Sequence, residues 1–190
     1  PWLTFAATHF LSSINMATMS VVEFGGGAST VWFSKRAGHV KTFEFDDQWA
    51  AVLSEHLKAL SNVEIIQPES GLGILSEFTS EPNAGLSSIL AMDIDSDLFV
   101  SLTREPLSRA SLILVDGGPR NLAMYLASKF ASPSAIIVVD NSDTDVLREG
   151  VQHLLEAGFT EIAFRGLGPL NPYEWTTSVF VKTMSFAQLG

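Results

Sequence analysis

The chain of 190 residues contains no cysteine, which excludes disulfides and fits a reducing, cytoplasmic setting. Basic residues are scarce: 11 Lys and Arg stand against 21 Asp and Glu, for a net charge of −10. Phosphate backbones are bound by clustered Lys and Arg, so this balance argues against a broad nucleic-acid surface and favours a small or neutral substrate. No apolar run approaches the roughly 18 residues of a membrane span, and the amino-terminal stretch lacks the basic start of a secretory signal. The chain begins at Pro1 rather than Met, so its start reads as trimmed. Internal repeats and low-complexity linkers are also missing. What is present is 46% hydrophobic, enough at this length to bury a full core in one domain spanning residues 1–190.

The most informative stretch is Val21-Val22-Glu23-Phe24-Gly25-Gly26-Gly27-Ala28-Ser29-Thr30. An apolar run ends on an acid and three glycines, then opens a helix that Ser29 or Thr30 can cap. Such a strand, turn and helix suit a nucleotide, because backbone can approach a ligand where a Cβ would clash. A glycine triplet alone is equally compatible with a structural turn, so its reading depends on the rest of the chain.

In order, Leu3, Phe5, Ala6, Phe10, Leu11 and Ile14 recur at helical spacing over 2–15, with Thr4 as a cap. This amino-terminal segment, residues 1–18, is expected to pack on a sheet or cover a site. Strand one spans 19–24, and a helix follows to about Ala37, ended by Gly38. His39 to Phe45 reads as strand two, with Glu44 near its end. Asp46 or Asp47 caps a helix whose apolar face carries Trp49, Val52, Leu53, Leu57 and Leu60. His56 falls on that face and reads as a histidine at the core's edge rather than a catalytic one. Val63 to Ile66 is strand three, stopped by Pro68.

Residues 69–110 are the least legible. Asp93, Asp95 and Asp97 alternate, but without the glycine and distal glutamate of an EF-hand they read as a solvated turn or helix start. Ser111 to Val115 is a buried strand delivering Asp116, followed by Gly117-Gly118-Pro119-Arg120 and a helix with Leu122, Tyr125, Leu126 and Phe130 that Pro133 ends. Ala135 to Val139 delivers Asp140 and Asn141. A helix starting within Ser142 to Asp145 carries Leu147, Val151, Leu154 and Leu155 to Gly158. Glu161 to Arg165, a loop from Gly166 to Trp175, and Thr177 to Met184 finish the chain. Asn171, Tyr173 and Trp175 in that loop suit either a substrate wall or a packed turn.

Alternation of strands and helices predicts an α/β, doubly wound Rossmann-like sheet of about seven strands, with helices on both faces. Five strands are parallel, and a ten-residue connection with no helix makes the last two an antiparallel hairpin. Ligands of such sheets bind at the carboxyl ends of the strands, which groups Glu23 to Ser29, Glu44, the residues after Ile66, Asp116 and Asp140-Asn141 on one rim. Glu44 lies about twenty residues past the glycines, where a carboxylate receives ribose hydroxyls. No Lys-Ser or Lys-Thr follows the glycines, which disfavours a P-loop. A nicotinamide dinucleotide, and with it an NAD-dependent oxidoreductase, stays open. Two carboxylates beside the turn suit a ligand with an ammonium and ribose hydroxyls, and S-adenosylmethionine has both and no phosphate.

From Trp2 to Lys182 the chain resembles the class I S-adenosylmethionine-dependent methyltransferases. Glu23 to Thr30 is similar to the Glu-x-Gly-x-Gly-x-Ser-Thr first motif of a bacterial group, in which a Trp follows the strand-two acid as Trp49 follows Glu44. The resemblance implies a methyltransferase acting on a small molecule, most simply by O-methylation. Glu23, Gly25, Gly26, Gly27, Ser29 and Thr30 would hold the methionine portion and Glu44 the ribose. The stretch Gln67 to Ser70, with Pro68, would border the adenine, Phe45 would belong to the same cofactor site, and Asp116 would lie close to the transferred methyl. A methyltransferase-like module that binds without turnover is a further alternative. Expected partners are a small-molecule methyl acceptor and a second copy of the chain in a homodimer, with neither nucleic acid nor membrane.

A narrower likeness joins Asp116 to Asp140-Asn141. Catechol and caffeoyl-coenzyme A O-methyltransferases carry an aspartate after strand four and an Asp-Asn pair after strand five, which implies that these three ligate Mg2+ or another divalent cation. Those enzymes place a lysine base three positions after the first aspartate, where this chain has Pro119. Arg120 follows, too basic to accept a proton near neutrality and better suited to anchor an anionic substrate group or to pair with Asp116. The alternative is that Asp140-Asn141 cap the next helix and Asp116 meets cofactor or substrate directly.

Overall fold

A computed structural model of the chain describes residues 1–68, 86 and 97–182. Its elements follow as α1 (Phe5–Ser12), β1 (Ser20–Phe24), α2 (Ala28–Ser34), β2 (His39–Phe43), α3 (Asp47–Leu57), β3 (Val63–Ile66), α4 (Leu98–Arg109), β4 (Leu112–Val115), α5 (Arg120–Phe130), β5 (Ile136–Val139), α6 (Arg148–Glu156), β6 (Thr160–Gly166) and β7 (Trp175–Val181). A short 3-10 turn, Asp145–Leu147, leads into α6.

The strands form one seven-stranded sheet in the order β3-β2-β1-β4-β5-β7-β6. β1 to β5 run parallel, and β7 is antiparallel to both β5 and β6. Strands buried on both faces read as continuous apolar runs, as in Leu112–Val115 and Ile136–Val139, where every residue is buried. One core lies between the sheet and α4, α5 and α6, with Phe24, Phe43, Phe99, Leu107 and Phe180 inside it. The other lies under α1 and α2 and holds Leu3, Ala7, Leu11, Val21 and Phe33. The expected α/β architecture with its terminal antiparallel hairpin is what forms.

Several boundaries differ from the sequence reading, each for a local reason. Thr4 caps α1 as expected, its hydroxyl accepting from the Ala7 N–H at 3.4 Å. It also ties α1 to the hairpin, with Thr4 N donating to Thr177 Oγ1 at 3.1 Å and Thr4 Oγ1 to the Phe164 carbonyl at 3.1 Å. The apolar face of α3 is narrower than its periodicity suggests: Ala50, Leu53 and Leu57 are buried, whereas Trp49 (42%), Val52 (42%) and Leu60 (39%) are exposed. His56 is exposed as well, bonded to the Val52 carbonyl one turn back rather than lining the core.

β7 begins at Trp175, two residues before the expected start, because Trp175 and Thr176 pair with Gly166 and Arg165 and are buried. Trp175 is therefore a strand residue and not part of a substrate loop. Asp97 does start a helix, its carboxylate accepting from the Phe99 and Val100 N–H groups. The twelve residues of α4 that it opens went unread, because Ser, Thr, Glu and Pro106 interrupt the apolar pattern. Asp93 and Asp95, like Ser70, lie outside the described residues.

Candidate active site

The order β3-β2-β1-β4-β5 reverses direction between β1 and β4, and the glycine turn after β1 sits at that switch point. β7 runs the other way, so its first residues, Trp175 to Thr177, sit beside the carboxyl end of β5. Acids from β1, β2, β4 and β5 thereby share one rim with a tryptophan and a threonine from β7.

Gly25 takes φ +87°, which L side chains rarely adopt, and a Cβ on it would lie 2.5 Å from Gly117 Cα. The two glycine turns thus pack backbone to backbone. Gly27 is different: a Cβ there would meet no atom of the described residues within 4 Å, so among them its bare side faces open space. Neither Ser29 nor Thr30 is the N-cap of α2; that position belongs to Gly27. Thr30 instead reaches back from inside the helix, where its Oγ1 accepts from the Gly27 N–H at 2.9 Å.

That hydroxyl also donates to Glu23 Oε2 at 2.5 Å, and Thr42 Oγ1 donates to the same oxygen at 2.8 Å. The β1–β2 register, which sets Glu23 beside Thr42, makes the second bond possible. Glu23 is fully buried beneath the turn, and its Oε1 has no hydrogen-bond partner among the described residues. Burial pushes its carboxyl up to about 7, against the pull of the Ser29, Thr30 and Thr42 hydroxyls.

Glu44 latches the turn to the end of β2. Its Oε2 accepts from the Gly26 N–H at 2.6 Å, and its Oε1 accepts from the Phe45 and Asp46 N–H groups at 2.8 and 2.9 Å. Phe45 packs edge-on against Phe99, ring centroids 6.0 Å apart, and Pro68 is buried just past β3. Gln67 donates to Asp47 Oδ1 at 2.8 Å.

Trp2, Gly26, Gly27, Ala28, Ser29, Trp49 and Asp116 line one cleft. Three of the expected cofactor residues, together with Asp116, therefore come together. Glu23 and Glu44 support the turn from below and beside it, while Phe45 and Pro68 stand farther along the rim. Trp49 was read as a helix-face residue and as the Trp that follows the strand-two acid in the resembling group, with no site role given to it, yet its Nε1 donates to the Gly26 carbonyl at 2.8 Å. The signal available was its place as the third residue of a helix capped by Asp46, whose carboxylate accepts the Trp49 N–H and so fixes Trp49 in the first turn, next to the carboxyl end of β2.

Asp116 is partly buried at the end of β4, and no described residue donates a hydrogen bond to its carboxylate. Burial, reinforced by the nearby charge of Asp140, raises this carboxyl to about 7, and Arg120 opposes the rise. Asp140 is engaged elsewhere: its Oδ1 accepts from Trp175 Nε1 at 2.9 Å and Thr177 Oγ1 at 2.5 Å. Burial raises its carboxyl too, and those two donors hold the rise back. Arg120 Nη1 donates to the Asp140 carbonyl and to Asn141 Oδ1, both at 3.3 Å, and Asn141 sits at φ 53°. Neither Asp140 nor Asn141 caps the following helix.

These bonds decide how well the rim suits a divalent cation. Asp140 Oδ1 already serves two donors, Asn141 Oδ1 receives a guanidinium, and Arg120 supplies the positive charge at that place. A divalent cation would have to compete with these donors for Asp140 Oδ1 and Asn141 Oδ1, whereas no described residue donates to the Asp116 carboxylate. Among the described residues no three His, Cys, Asp or Glu side chains are grouped to hold a metal ion.

No family model matches the sequence, and a search among curated proteins finds no match. Solved structures do match in fold. Precorrin-6y C5,15-methyltransferase from Geobacter metallireducens GS-15 aligns over 93% of this chain and 87% of its own, with a TM-score of 0.62 at 12% identity. Aeropyrum pernix fibrillarin in complex with natively bound S-adenosyl-L-methionine aligns over 92% and 74%, with a TM-score of 0.61 at 11% identity. An rRNA methylase from Streptococcus thermophilus aligns over 93% and 95%, with a TM-score of 0.56 at 14% identity. The chain has the fold of class I methyltransferases, and structures similar to it include methyltransferases of different acceptors.

Proposed function

We propose that the cleft binds S-adenosylmethionine by its amino-acid end and that the chain transfers the methyl group to a small molecule, most simply to a hydroxyl oxygen. The observation that carries this reading is the pairing of Gly27 with Asp116 in one cleft: a bare glycine facing open space beside a carboxylate that no described residue serves. Glu23, Glu44 and Asp116 place three carboxyl groups around the turn and no lysine lies among the cleft's described lining residues, which suits an ammonium and a sulfonium better than a pyrophosphate. The fold shared with a protein holding S-adenosyl-L-methionine supports the same ligand.

Bound there, S-adenosylmethionine supplies a methyl carbon made electrophilic by the adjoining sulfonium. The Gly26 and Gly27 backbone, kept in place by Glu44 and Thr30, holds the amino-acid end. Asp116 accepts a hydrogen bond from the acceptor hydroxyl. With its carboxyl at about 7 it takes that proton as the oxygen–carbon bond forms and the carbon–sulfur bond breaks. Arg120, fixed through Nη1, turns its remaining N–H groups to an anionic part of the acceptor. Positioning and exclusion of water account for most of the rate.

A small acceptor is favoured over RNA by the charge of the rim, where four acids meet a single Arg120 already engaged on Asp140 and Asn141, and by the overall charge of −10. The test is incubation with cofactor carrying a tritiated methyl and cell extract, separated into small-molecule, RNA and protein fractions. Label in the small-molecule fraction is expected. Label confined to RNA would overturn the acceptor class, and no transfer into any fraction would favour binding without turnover.

A further inference from the structure

The cleft has an aromatic and acidic lining. Two indoles, Trp2 and Trp49, line it with Asp116, and no lysine, arginine or histidine side chain is among its lining residues. Trp49 is fixed at both ends, its backbone N–H on Asp46 Oδ1 at 2.8 Å and its Nε1–H on the Gly26 carbonyl at 2.8 Å. The residue nevertheless stays 42% exposed and lines the cleft, so it remains available to a ligand lying on the glycine turn. Asp116, on the same cleft, receives no hydrogen bond from a described residue. An indole face attracts a cation through its quadrupole, more strongly where water is displaced, and a carboxylate beside it adds a Coulombic pull.

We infer that this cleft discriminates by charge, taking the cationic sulfonium of S-adenosylmethionine in preference to the neutral thioether of S-adenosylhomocysteine, with Trp49 as the residue that sets the preference. The inference rests on the S-adenosylmethionine reading and deepens it. Methyl transfer breaks the carbon–sulfur bond and leaves its electron pair on sulfur, so the positive charge that the indoles and Asp116 favour disappears on turnover. The same walls that hold the cofactor then hold its product less well, which eases product release.

Isothermal titration calorimetry on the full chain reads this without turnover, using S-adenosylmethionine, S-adenosylhomocysteine and sinefungin, whose ammonium stands where the sulfonium methyl would. Wild type is expected to bind the two cations about tenfold more tightly than S-adenosylhomocysteine. Trp49→Leu should bring the three affinities within about twofold, and Asp116→Asn should reduce the preference severalfold. Trp49→Phe keeps a ring face but loses the N–H to Gly26. It should retain a cation preference even if all three ligands weaken, and thermal unfolding of each variant confirms that it is folded. Equal affinities for the cations and the thioether in wild type, or equal weakening of all three ligands by Trp49→Leu, would overturn the charge preference and leave the cofactor reading standing. Binding of none of the three would remove both.

Discussion

Gly25 and Gly117 meet backbone to backbone at the centre of the rim: a Cβ on Gly25 would stand 2.5 Å from Gly117 Cα, and one on Gly117 2.9 Å from Gly25 Cα. The turn after β1 and the turn after β4 interlock there, which sets Asp116 against Gly26 and Gly27. The contact separates glycines that serve the fold from Gly27, the one proposed to face the ligand.

Gly117→Ala should therefore destabilise the protein by about 1 to 3 kcal/mol, because backbone and not a yielding side chain must shift. Gly27→Ala meets no atom of the described residues and should change stability by no more than about 0.5 kcal/mol while weakening cofactor binding. Urea denaturation and calorimetry on both variants check the contrast. Equal stability losses would refute it.

Glu44 gathers three backbone N–H groups, from Gly26, Phe45 and Asp46. Glu44→Gln replaces one accepting oxygen with a donor and should loosen the glycine turn, lowering affinity for S-adenosylhomocysteine by about 1 to 3 kcal/mol in calorimetry. Unchanged affinity would mean that the turn is held without it.

The Asp116 carboxyl stands at about 7 in the fold against an ordinary 3.8, chiefly through burial. Its charge forms more readily in the unfolded chain, so its contribution to stability is full below about pH 4 and is lost as pH rises towards 7. Asp116→Asn cannot ionise and should be more stable than wild type by about 1 to 3 kcal/mol at pH 8, with the difference vanishing near pH 3. Denaturation curves at both pH values decide it, and a variant less stable at pH 8 would contradict the environment described for this carboxyl.

Chelation supplies a further test. Because Asp140 Oδ1 serves Trp175 and Thr177 and Asn141 Oδ1 serves Arg120, methyl transfer should survive dialysis against EDTA. A magnesium titration should give the same null trace for wild type and for Asp140→Ala. Activity lost on chelation and restored by Mg2+ would show that a cation displaces Arg120.

Much of this arrangement was legible in the sequence, and what was missed has common physical causes. The glycine turn, Asp116 and the hairpin could be read because apolar runs ending in Gly or Asp mark the carboxyl ends of buried strands, and a short connection forces an antiparallel return. Pairings across the sheet could not be read. Thr42 meets Glu23 only through the β1–β2 register, and Trp175 reaches Asp140 only because β7 enters antiparallel beside β5. The likeness to metal-binding enzymes rested on residue types at strand ends, whereas Thr177, Trp175 and Arg120 determine which oxygens remain available. Trp49 and Val52 matched a helical stripe that the fold does not bury, because periodicity registers apolarity and not whether a neighbour covers it.

The central claim is that the cleft between the glycine turn and Asp116 is an S-adenosylmethionine site. Its most direct test is calorimetry of the full chain with S-adenosylmethionine and with NAD, in wild type and Gly27→Ala. Micromolar binding of S-adenosylmethionine that weakens in the variant is expected, with no heat from NAD. Micromolar binding of NAD and none of S-adenosylmethionine would contradict it.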